Sequence, residues 1–292
     1  MTMTTFWNWV LFCVLSIIWG SSFLLMKLGM VALSPYQVAA LRILSGGIVL
    51  IPFAGKAYMA IPPKKRGLVL ASGLLGSFFP AFLFCVAETK INSSVTGMLN
   101  SLTPLLTVVM GVVFFQIPTT KQKLIGVVIG LMGLLLLMAP NGHIVINDIP
   151  YMLLILLATL LYAVNVNLVG KHMQGIASLH IASLAFVLLI APCLVVLYAT
   201  HFFSITQTPQ LIQSIIAASF LGVAGTAIAS VWFYILVKRA GALFASMVTY
   251  GIPFVAIIWG MVYGETISLL QLTGLSIILL GVFITNKTPK RI

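Results

Sequence analysis

The sequence predicts an all-α integral membrane protein of ten transmembrane helices, arranged as two inverted five-helix repeats around a central cavity. Three observations carry that prediction. Apolar stretches of spanning length recur along the chain, Lys and Arg fall on one side of them, and the second half echoes the first. With 61% of residues hydrophobic and 6% charged, the chain cannot cover a water-facing surface. A soluble domain carries charge on about 25% of its residues.

Crossing a hydrocarbon core of about 30 Å takes roughly 20 apolar residues, at about 1.5 Å of rise each. Such stretches are expected near 7–29, 35–54, 68–87, 91–115, 124–140, 150–170, 178–200, 212–237, 242–263 and 268–286. The leftovers near 55–67, 140–149 and 201–211 are loops, which leaves no room for a soluble catalytic domain. The first stretch follows MTMTTFWN, which has no Lys or Arg and so lacks the basic start of a removable signal peptide. It is expected to stay as the first helix.

Charge placement orients the spans. With the amino terminus in the cytoplasm, the inner segments hold Lys56, Lys64, Lys65, Arg66, Lys121, Lys123, Lys171, Lys238, Arg239, Lys287, Lys290 and Arg291. The outer ends hold only Lys27 and Lys90, and Arg42 lies within a span. That asymmetry is a positive-inside signal; it places both termini in the cytoplasm and demands an even number of spans. The net charge of +12 is therefore met by anionic inner-leaflet lipid, and nucleic acid is not needed as a partner.

The halves correspond at an offset of 149 positions. Gly73 meets Gly222, Gly76 meets Gly225, Ser77 meets Thr226, Phe84 meets Phe233, Pro104 meets Pro253, Gly111 meets Gly260 and Gln116 meets Glu265. After a gap of one residue, Gly126 meets Gly274 and Gly133 meets Gly281. The repeats are expected at 1–140 and 149–292, divided in the turn-rich stretch APNGHIVINDIP. Because five spans is an odd number, the second repeat must run in the opposite sense. Inverted repeats of this kind hold their sites near mid-membrane, between the copies.

Pro104 and Pro253 are expected to break the fourth and ninth spans. A proline cannot bond to the carbonyl four residues back, which frees the carbonyls of Asn100 and Thr249. In lipid such groups persist only against protein or a wet cavity. Trp19 and Ser22 share a face of the first span with Ser16 and Met26, and Tyr162 and Asn165 share a face of the sixth, away from Asn167. Ser77 and Thr226 sit mid-span in the third and eighth. With Tyr250 beside Thr249, these residues describe an aromatic and amide-lined substrate pocket.

The stretches IIWGSSFLLMKLG and SPYQVAALRILSGG resemble the drug/metabolite transporter superfamily, in its ten-helix, EamA-type permease branch. Trp19, Gly20, Ser21, Lys27, Leu41 and Arg42 match that pattern, as do Gly222, Thr226, Gly241, Pro253, Gly264 and Glu265 in the second half. The resemblance covers essentially the whole chain. It implies alternating-access transport of small metabolites across the cell inner membrane, often export of amino acids or related compounds, around a cavity formed by the first four helices of each half. Gln116 stands where the first repeat often has Glu, which removes any ionic role there.

The remaining charges narrow the chemistry. Arg42 is expected about 10 Å below the outer edge, and an intramembrane arginine marks a pathway or a pair. Lys27 and Glu265, near outer helix ends, are further gating or substrate candidates, with Lys27 read as an anchor reaching to the interface. Facing a vestibule, Lys27 and Arg42 favour a carboxylate-bearing substrate. Glu88, Glu265 and Asp148 lie at helix ends or in a loop, which speaks against a proton exchanger built on a central glutamate. Cys13, Cys85 and Cys193 are isolated apolar packers, and His143, His172, His180 and His201 have no metal spacing. No cofactor, metal or enzymatic site is expected; a channel or a non-transporting scaffold is the alternative to a transporter, and monomer and homodimer are both open.

Overall fold

The computed structural model describes residues 3–138 and 146–286, and every regular element among them is helical. His143, Lys287, Lys290, Arg291 and most of the expected boundary between repeats lie outside the described residues. Eight helices are long and apolar enough to cross a membrane. They are α1 (Met3–Gly29), α2 (Pro35–Ala60), α3 (Pro63–Ala87), α4 (Ser93–Phe115), α6 (Ile149–His172), α7 (Ser178–Ala199), α8 (Pro209–Ala240) and α9 (Ala242–Val262). Two shorter apolar helices, α5 (Lys121–Leu137) and α10 (Leu269–Asn286), have 17 and 18 residues.

The starts of these helices are written locally. Ser34 and Gln37 form a reciprocal capping box at the head of α2, and Ser268 and Gln271 make the same pair of bonds at the head of α10. Thr120 and Thr208 cap α5 and α8. Pro35, Pro63 and Pro209 open α2, α3 and α8, where a missing N–H costs nothing. Gly241, at φ 89°, makes the corner between α8 and α9 in a conformation that favours glycine.

Four of the long helices are irregular in their middles. α4 breaks at Ser101 and Leu102 and restarts at Thr103, with Pro104 in the first turn of the new segment. α9 tightens to a 3-10 turn over Met247–Tyr250 before Gly251 and Pro253 resume the helix. The expected breaks are present, but the Asn100 carbonyl is not left open: Thr103 Oγ1 donates to it at 2.7 Å. α3 and α8 contain π-helical stretches, Leu74–Phe78 and Leu221–Ile228, which the apolar pattern did not disclose. An extra residue per turn widens the helix there, a distortion that often marks functional sites.

Packing runs between the halves. α1 lies against α8 and α9, and α6 lies against α3 and α4; α2 packs on α8 and α7, and α7 packs on α3. α5 and α10 associate chiefly with each other. Their contact is glycine on glycine: a Cβ on Gly126 would fall 2.3 Å from the Gly281 carbonyl oxygen, and one on Gly133 would fall 2.6 Å from that of Gly274. Lipid tails give helices no hydrophobic reason to associate, so close backbone approach through small residues supplies the contact.

Candidate functional site: a central polar and aromatic cavity

Where the π-helical stretches of α3 and α8 face α1 and α6, the packing leaves an empty volume of about 770 Å³. Its wall comes from both halves of the chain. Trp19 of α1 donates from Nε1 to the Gly225 carbonyl at 2.9 Å and sets its ring edge-on to Phe233, 5.1 Å between centroids. Tyr162 of α6 stacks on Phe84 of α3 at 5.8 Å. Asn165 accepts from the Ser72 hydroxyl at 2.6 Å, and that hydroxyl lies 3.1 Å from the Tyr234 hydroxyl. The close approach of Asn165 needs a glycine opposite, since a Cβ on Gly76 would fall 2.1 Å from Nδ2.

Arg42 is the single charged residue on the wall, and it is 8% exposed. Its Nε donates to Thr226 Oγ1 at 2.9 Å, and Nη1 lies 3.8 Å from the Met26 sulfur. The one ion pair among the described residues is elsewhere, and all three acidic side chains are described, so no carboxylate neutralises Arg42 directly. A guanidinium held by a neutral hydroxyl in an apolar bundle keeps most of its attraction for an anion.

Of the residues expected to form the pocket, Trp19, Ser22, Ser77, Asn100, Tyr162, Asn165, Thr226 and Thr249 line the cavity, together with Arg42. Pro104, Tyr250 and Pro253 do not; they shape α4 and α9 from behind. Ser16 turns to the Val248 carbonyl, and Asn167 bonds the Thr107 and Ala163 carbonyls outside the cavity. Sequence reasoning missed Phe23, Phe84, Thr103, Ser230, Phe233, Tyr234 and Ser246 on the wall. Phe84 and Phe233 were legible, because the offset of 149 aligns them with each other. Tyr234 and Ser230 carried no such signal.

Lys27 and Glu265 also lie off the wall, and they meet each other at 2.5 Å at one end of the bundle. Lys27 is thus a partner in a pair, not a lone anchor at the interface. Glu265 Oε1 accepts from the Ser93 amide at 3.0 Å, and Oε2 accepts from the Ser94 amide at 3.0 Å and the Ser94 hydroxyl at 2.6 Å. It therefore caps the positive pole of α4 while tying it to α1. Burial pushes its carboxyl up, but the bonds from Lys27 and Ser94 outweigh burial and hold it below the usual carboxylate range. At the opposite end, a second recess of about 650 Å³ opens beside Thr107, Ile117, Lys123, Asn167 and Gly241.

The EamA-like transporter family matches residues 7–139 and again 149–287. The chain belongs to that family. This member is 26% identical over 281 residues to a transporter of Archaeoglobus fulgidus, covering 95% of this chain and 98% of the relative. It is 26% identical over 284 residues to the inner membrane transporter YedA of Escherichia coli K12, covering 93% and 88%. Over 122 residues it is 27% identical to a probable amino-acid metabolite efflux pump of Salmonella typhimurium, covering 41% of this chain and 39% of that one. One crystal structure shares the fold at a TM-score of 0.67 and 19% identity, covering 98% of this chain and 99% of that one. The EamA-like chain is thus a membrane-spanning relative of transporters.

Proposed function

We propose that this EamA-like protein is an inner-membrane secondary transporter that exports small metabolites, amino acids and related carboxylates, by alternating access. The observation that carries the proposal is the cavity itself, a buried aromatic and amide-lined space with one unneutralised cation, Arg42. A substrate carboxylate fits that guanidinium, and a hydrophobic side chain fits the ring wall of Trp19, Phe23, Phe84 and Phe233. No nucleophile and base stand together on the wall, so a chemical reaction has no machinery there.

Ten crossings in two inverted repeats, within 1–140 and 149–292, account for the packing. The family matches twice along the chain. Contacts come in exchanged pairs: Trp19 on Phe233 answers Tyr162 on Phe84, and Gly225 near Ser22 answers Gly76 near Asn165. Likewise Gly126 meets Gly281 and Gly133 meets Gly274. A twofold axis lying in the membrane plane generates pairs of that form. With both termini in the cytoplasm, the Lys27–Glu265 pair closes the outer end and the recess beside Thr107 faces inward.

Flux of amino acids and their deaminated carboxylates in proteoliposomes tests the proposal. Saturable uptake is expected, with losses of tenfold or more in Trp19→Ala and Asn165→Leu proteins that fold normally. Absence of saturable flux across the panel, or a steady ion conductance in its place, would reject it.

A further inference from the structure

Glu88 follows the last turn of α3, and it is 4% exposed. Neither of its carboxyl oxygens has a hydrogen-bond partner among the described residues, and the Ser93 hydroxyl that faces it is also buried without one. A buried ionised carboxylate left unpaired is so costly that the group takes up a proton instead. We propose that Glu88 is a proton-binding site: in this conformation its buried, unpartnered carboxyl is protonated, and it releases the proton to water when the Lys27 end of the bundle opens.

Its surroundings favour the neutral form over a bound metal cation. The charged and titratable groups that face it are Lys27 from α1, Arg42 from α2, Glu265 from the segment after α9, and Cys85 on α3 itself. Neither cation is within ion-pair distance of Glu88, since Lys27 is engaged with Glu265 and Arg42 with Thr226. Glu88 also sits at the negative pole of α3, whereas Glu265 sits at the positive pole of α4. Burial is the largest influence on the Glu88 carboxyl and raises it well above the usual range, despite Lys27. A sodium ion would have to share the site with two facing ammonium and guanidinium groups, which repel it. Opening at Lys27 would separate α1 from Glu265, admit water and remove the burial that holds the proton. Proton release is thereby linked to a conformational change, whatever the cargo.

With three acidic side chains in the chain, an infrared titration of the full-length protein in lipid can assign the proton. At neutral pH the wild type is expected to show the carbonyl stretch of a protonated carboxylic acid, retained in Glu265→Gln and Asp148→Asn and lost in Glu88→Gln. A raised carboxyl costs folding stability as pH climbs above its unfolded value of 4.5, until the folded group itself ionises. The melting temperature of the wild type should therefore fall relative to Glu88→Gln as pH rises above 4.5, with the variant the more stable at the alkaline end. Absence of the band at neutral pH, or its survival in Glu88→Gln, overturns the proposal. Loss of the wild-type band on adding sodium chloride at fixed pH also overturns it, in favour of a sodium site. The band does not depend on flux, so a failure to transport leaves this test standing.

Discussion

Arg42 and Glu265 show how the same bundle treats charge in two ways. Arg42 is held by the Thr226 and Tyr162 hydroxyls and the Met26 thioether, with no carboxylate in ion-pair range, so its charge remains available to a ligand. A charge-assisted hydrogen bond contributes about 1.5–3 kcal/mol, or roughly 10–100-fold in affinity. Arg42→Gln is expected to weaken carboxylate binding by that factor while sparing the methyl ester of the same compound, read by titration calorimetry on purified protein. Equal weakening of acid and ester would show that Arg42 merely shapes the wall. Glu265, by contrast, is satisfied by Lys27, Ser93 and Ser94. Its folded carboxyl lies below its unfolded value of 4.5, so the stabilisation is fully present above that value and is lost as pH falls through the folded one. The Lys27 side chain is 34% exposed, so solvent screening limits the pair to about 1 kcal/mol. Glu265→Gln is expected to lower the melting temperature by a few degrees at neutral pH, with the difference closing in acid. A gap that persists unchanged in strong acid would contradict the pairing.

At the scale of the helix, the glycines divide into two groups with different consequences. Gly126 and Gly133 keep α5 against α10, where the opposing atom is backbone and cannot yield. Overpacking of that sort costs about 1–3 kcal/mol, and Gly126→Ala is expected to lower thermal stability while leaving the transport KM unchanged. Gly76 faces an amide side chain, which can turn away. Gly76→Ala should therefore cost little stability, yet raise KM by displacing Asn165 from Ser72 and Tyr234. A stable Gly126→Ala protein would show that the glycine seam is dispensable. Spans and proline breaks were legible because each is governed by residues within a few positions, as Pro104 is by the turn before it. The π-helical stretches of α3 and α8 were not, since an inserted residue is held by tertiary contacts and leaves the apolar pattern intact. For the same reason Tyr234, reached only through Ser72 and Asn165, had no local signature.

Across the whole molecule, the expected correspondence at an offset of 149 picks out residues that share one cavity. It aligned Ser77 with Thr226 and Phe84 with Phe233, all on the cavity wall, but gave no sign that Glu88 would be buried. Burial of a helix-end acid depends on how α1, α2 and the segment after α9 close over it, which no single stretch encodes. That closure is also where movement should be required. The Lys27–Glu265 pair ties α1 to α4 at one end while a recess lies at the other, so the proposed alternating access requires that α1 and α4 part at the Lys27 end. Cysteines at Lys27 and Glu265, with Cys13 replaced by Ser, allow the end to be tied shut by a short thiol cross-linker. Flux in proteoliposomes is expected to fall to background once the link forms and to return when a cleavable linker is cut. Substrate affinity from the opposite face should persist in the linked protein, because the recess beside Thr107 and Gly241 is untouched. Full flux through the linked protein would mean that the path across the membrane bypasses this end, and with it the central cavity.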